Sequence, residues 1–145
     1  MTIFSGLLFS CKMSEMDIER EHIRAMLENE NISKKAKWIV ILPGLGCHGC
    51  IKEGEMFLVE QINNDEIFIV LTNIESLKIL QHKLGIQVDK HNNIYVDRDD
   101  QFRFTTGNNI YPCVVYLNDG RYESHEFQAP RNNAFHKLST IILTE

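Results

Sequence analysis

The chain has 145 residues, enough for one domain whose core needs no disulfide staples. A 43% apolar and 24% charged composition is that of an ordinary globular chain, and a net charge of -5 without a basic cluster argues against nucleic-acid binding. Four cysteines are too few for a disulfide scaffold.

In chain order, Met1 to Cys11 is apolar, carries no charge before Lys12, and is too short to span a bilayer. Its end, Leu8-Phe9-Ser10-Cys11, resembles the lipobox of a bacterial lipoprotein signal. That resemblance implies lipid on Cys11 and a periplasmic, membrane-anchored protein, the alternative being an apolar N-terminus in the cytoplasm. Phe9 is bulky for a lipobox, and the basic n-region of a secretory signal would have to lie upstream of Met1. Residues 1–13 are thus a candidate signal and anchor, and residues 14–145 the folded domain. Ser14 to Asn29 reads as an amphipathic helix that would stand between anchor and core, with Ser14-x-x-Asp17 as its cap.

Trp38 to Leu42 is the first strand. A Pro/Gly turn then leads to Cys47-His48-Gly49-Cys50 and a helix running to about Asn63. Glu66 to Leu71 is a buried-type strand, and Thr72-x-x-Glu75 reads as a capping box opening a helix with Leu77, Leu80 and Leu84 on one face, stopped by Gly85. Ile94-Tyr95-Val96 is a short strand, and Phe102 and Phe104 anchor an irregular stretch. Pro112 leads the strand Cys113 to Leu117. Asn118-Asp119-Gly120 turns it into Arg121 to Phe127, and Ala134 to Leu143 closes the chain as a helix. Strands joined through helices run parallel and a hairpin runs antiparallel, so the reading is an α/β domain, a mixed sheet with helices on both faces.

Two cysteines three apart at a helix start can be bridged or left as thiols with little backbone movement. The helix N-terminus favours negative charge, so Cys47 should ionise more readily than a free cysteine. A zinc site wants four ligands, and Cys11 and Cys113 are isolated with no His-x3-5-His pair, so half a zinc site and two inert cysteines stand as lesser alternatives. Haem attachment needs His directly after the second cysteine, where Ile51 stands.

The element order and the two motifs, Cys47-x-x-Cys50 and Tyr111-Pro112, resemble the thioredoxin superfamily, and within it the TlpA-type branch, over roughly Trp38 to Leu143. The resemblance implies a thioredoxin-like fold and a cofactor-free thiol–disulfide oxidoreductase acting on protein thiols and disulfides. It makes Cys47 the attacking thiol and Cys50 the resolving thiol. It makes Tyr111-Pro112 a cis-proline that faces the pair and binds substrate. Glu53 would exchange a proton with Cys50, or merely be an acid favoured by the helix dipole. His48, if protonated beside the thiolate, would stabilise the reduced form and make the disulfide more oxidising. Gly46 stands where most thioredoxins have Trp, Ile41 where cytosolic ones place a buried acid, and Gly49 where Pro is common, which sets the chain apart from a housekeeping thioredoxin. The alternative is a non-enzymatic binding module with a static disulfide. Cys113 points either toward the dithiol or into the core, and the burial preference of free cysteine favours the core.

Overall fold

A computed structural model describes residues 12–145. Five strands form one mixed sheet in the order β3-β2-β1-β4-β5, with β1 Trp38–Pro43, β2 Ile67–Thr72, β3 Ile94–Asp97, β4 Cys113–Asn118 and β5 Arg121–Phe127. β1 pairs in parallel with β2, and β2 with β3, while β4 is antiparallel to both β1 and β5. Four helices cover the sheet: α1 Glu15–Leu27, α2 His48–Gln61, α3 Leu77–Leu84 and α4 Ala134–Thr144. The α/β reading holds. No helix among the described residues is long and apolar enough to cross a membrane.

β1 is buried along its whole length because both its faces are covered, which is why it reads as a continuous apolar run rather than an alternation. Trp38, Val40 and Leu42 point into a core with Phe57 and Leu58 of α2 and with Phe135 and Leu138 of α4, and Leu77, Leu80 and Leu84 of α3 pack at its margin. Ile39 and Ile41 point the other way, toward Ile23 and Met26 of α1 and toward Phe102 and Phe104. Three helices therefore share one face, and α1 with the irregular 98–106 stretch covers the other.

Two details differ from expectation. α1 is no spacer ahead of the core; it is the lid on one face of the sheet, because Ile23 and Met26 have no other apolar surface to bury against. The cap of α3 is Ser76, whose hydroxyl accepts from the Ile79 N–H, and not the Thr72–Glu75 box. Thr72 still belongs to β2, and its hydroxyl donates to the buried Asp97 at 2.9 Å. That carboxylate also accepts from the backbone N–H groups of Gln101 and Phe102 and so shapes the turn after β3. The β4–β5 hairpin forms as read: Asp119 and Gly120 both have positive φ, the geometry whose twist matches the flanking strands.

Candidate functional site

The cysteine pair sits just beyond the C-terminal end of β1, where its neighbours switch from parallel β2 to antiparallel β4. Cys47 is the N-cap of α2 and Cys50 lies in its first turn; their Cα atoms are 5.3 Å apart and their sulfurs are joined as a disulfide. The two differ in access. Cys47 is half-buried at the turn, while Cys50 is only 5% exposed. An incoming sulfur reaches Cys47 first, and the dipole of a fourteen-residue helix favours the thiolate there.

The turn is pinned by its backbone. Cys47 donates its N–H to the Ile110 carbonyl at 3.0 Å, and its own carbonyl accepts from Ile51. Gly46 adopts φ +146°, and a Cβ there would stand 2.4 Å from the Ile110 oxygen. Only glycine fits this close approach, which is the physical reason a bulky residue does not precede the first cysteine.

Pro112 is buried and opens β4, as its missing N–H allows, and its ring packs toward Gly54 of α2. The expected cis bond is not found: no cis peptide bond occurs among the described residues, so Tyr111-Pro112 is trans. The close contact with the dithiol turn is made two residues earlier, by the Ile110 carbonyl, with the 107–110 stretch wound as a short 3-10 turn. Tyr111 is half-buried beside it.

Glu53 lies one turn beyond Cys50, and both line a shallow cleft of about 490 Å³ with Cys47, Gln128 and the loop 129–133. The Glu53 carboxylate accepts a hydrogen bond from the Gln128 side chain. His48, the first residue of α2, is exposed and lines an open groove on the far side of that helix. Between α2 and α3 a second groove, about 260 Å³, is lined by Leu42, Ile51, Leu58, Ile79 and Pro112, but by neither cysteine.

Comparison with protein-family models, with curated proteins and with solved structures finds no match to this chain.

Cys113 is free, fully buried and on the α1 face of the sheet, away from the dithiol. Burial, reinforced by the Glu19 and Glu126 carboxylates, pushes its thiol well above the usual range, which disfavours the thiolate. Cys11 lies outside the described residues. Among the described residues, no group of three or more His, Cys, Asp or Glu side chains is placed to hold a metal ion.

Sequence reasoning missed a polar cluster behind the site. Glu19 of α1 is 3% exposed, and its carboxylate accepts from Thr106 at 2.7 Å, from Asn108 at 2.8 Å and from His125 Nε2 at 2.8 Å. His125 Nδ1 meets the Tyr122 hydroxyl at 2.7 Å. A carboxylate can only accept, so His125 carries its proton on Nε2, and in the neutral ring Nδ1 accepts from Tyr122. Burial pushes the Glu19 carboxyl up, but the hydrogen bonds from His125, Asn108 and Thr106 outweigh it and hold it below its usual value. One signal was available. Glu19, Ile23 and Met26 fall on one helical stripe, so Glu19 had to point into the core.

Proposed function

We propose that this chain is a thioredoxin-like thiol–disulfide oxidoreductase of TlpA type that works on protein partners at an extracytoplasmic membrane surface. The observation that carries the reading is the asymmetric disulfide at the start of α2, with Cys47 accessible at the helix N-cap and Cys50 buried behind it. The element order supports the same reading: strand, dithiol helix, strand, helix, and a proline-led hairpin before the last helix.

In the reducing direction the Cys47 thiolate attacks one sulfur of a partner disulfide, and the other partner sulfur leaves as a thiolate. Cys50, deprotonated, then attacks the Cys47 sulfur and expels the second partner thiolate. Two electrons have passed to the partner, and the disulfide seen here is restored. Run backwards, the same steps oxidise a partner. The chemistry needs no cofactor. His48 at the solvent edge stabilises the Cys47 thiolate when protonated, which shifts the pair toward the oxidising side. Lipid on Cys11 would tether the domain to the membrane; Leu8-Phe9-Ser10-Cys11 supports this, as does a dithiol suited to an oxidising compartment.

The test is insulin reduction driven by dithiothreitol, with the Cys47→Ser variant as control. Turnover by the wild type that is lost in the variant supports the enzyme. A silent wild type with its disulfide intact assigns the static binding module instead.

A further inference from the structure

We propose that Gln128 is the positioning residue through which Glu53 exchanges a proton with Cys50, an inference that rests on the redox reading above. Gln128 stands at the end of β5, 4% exposed, with its backbone N–H and both ends of its side-chain amide hydrogen-bonded. Its backbone N–H donates to the Pro112 carbonyl at 2.8 Å, which ties it to the start of β4. Its side-chain oxygen accepts from the backbone N–H of Phe135, in the first turn of α4, at 2.9 Å. Its side-chain NH2 faces Glu53.

The orientation of this amide is not a free choice. The Phe135 N–H can only donate, so it must meet the oxygen, and the NH2 is thereby turned to the Glu53 carboxylate. A donor held there by main chain fixes the Glu53 carboxylate at the cleft it shares with Cys50. Arg131, from the loop before α4, is the other charged residue of that cleft and is exposed, so water screens it. On α2 itself, Lys52 and Glu55 flank Glu53, and Glu55 is engaged by Lys83 of α3.

The step served is the resolution of the mixed disulfide. Cys50 passes its proton to the Glu53 carboxylate, its thiolate attacks the Cys47 sulfur, and the bond between Cys47 and the partner breaks. The partner sulfur leaves with the electron pair and takes up a proton from Glu53 or water. Gln128 touches no reacting atom; it fixes the acceptor.

Gln128→Glu separates this role from a structural one. The new carboxylate still accepts from the Phe135 N–H, so the α4 contact survives, but it presents a like charge to Glu53 where a donor stood. The reduced full-length chain is mixed with a disulfide-bonded peptide, and release of the mixed disulfide is followed from mildly acidic to neutral pH, alongside the alkylation rate of Cys47. The acid limb of the release profile should move up by about one pH unit, roughly a tenfold slowing at a fixed pH within it, while Cys47 alkylation stays the same. In a Glu53→Gln background, Gln128→Glu should leave the profile unchanged. If Gln128→Glu does not fold, Gln128→Met, which loses both the donor to Glu53 and the acceptor of the Phe135 N–H, is compared with and without Glu53→Gln, and only a shift that requires Glu53 supports the role. An unmoved limb, or a shift that persists without Glu53, overturns the role of Gln128 and leaves the redox reading standing. A wild type that forms no mixed disulfide overturns both.

Discussion

Glu19 offers a test of how far the α1 lid holds the site together. Replacing it with Ala removes the shared acceptor of Thr106, Asn108 and His125, and leaves the buried Thr106 hydroxyl and His125 Nε2–H without partners. Each buried donor left without an acceptor costs about 1–3 kcal/mol, a large part of a domain's total stability of about 5–15 kcal/mol. Glu19→Gln should cost far less, about 1–2 kcal/mol, because its oxygen still accepts from Thr106 and Asn108, and His125 can shift its proton to Nδ1 and accept from the new NH2. The pH dependence follows from the direction of the Glu19 shift. A carboxyl held below its ordinary value of 4.5 stabilises the fold fully above that value, and the contribution is lost as pH falls through the lower, folded-state value. The gap between wild type and Glu19→Gln should therefore close on acidification below about pH 4.5. Urea unfolding followed by fluorescence of the buried Trp38 measures both effects. A loss under about 1 kcal/mol for Glu19→Ala, or a gap that stays constant into acid, would refute the buried-network account. Asn108 also belongs to the turn that presents the Ile110 carbonyl to Cys47, so Glu19→Ala should speed Cys47 alkylation in the reduced chain.

The glycines around the dithiol should rank by the space beside them. Gly46→Ala, forced against the Ile110 carbonyl at positive φ, should cost about 2 kcal/mol or more, whereas Gly49→Ala, with open space in the first turn of α2, should be neutral or stabilise by up to about 1 kcal/mol. Thermal unfolding of both variants checks the order, and a Gly46→Ala melting as high as wild type would contradict it. In the reduced chain, Cys47 should alkylate much faster than Cys50 at mildly acidic pH, read by peptide mass mapping; equal rates, or a faster Cys50, would remove the basis for their assigned roles. Cys50→Ser should accumulate mixed disulfides in a periplasmic extract, visible on a non-reducing gel, and Cys47→Ser should not. Mass spectrometry of the protein from its native cells should find lipid on Cys11, and an unmodified Cys11 would withdraw the membrane address.

The local grammar of the chain was enough for most elements and for the dithiol. A five-residue apolar run ended by Pro43-Gly44, such as Trp38 to Leu42, reads as a strand covered on both faces, and Asp119-Gly120 supplies the two positive φ angles a tight hairpin needs. Cys47 at a helix start was legible because the turn, the helix and the spacing all lie within a few residues. What escaped were choices made between distant segments. Whether α1 lies on the sheet, and what meets Glu19, depends on Thr106, Asn108 and His125, some 87 to 106 residues away. That Gln128 would hold Glu53 depends on β5 and α4 meeting behind α2, a separation of 75 residues. The side of the sheet that Cys113 takes was decided by register, since one residue's slip on β4 would have turned it toward α2. Periodicity and capping act over a few residues and can be read one segment at a time. Buried polar partners are selected only when two segments have excluded water from between them, and that selection belongs to the folded chain alone.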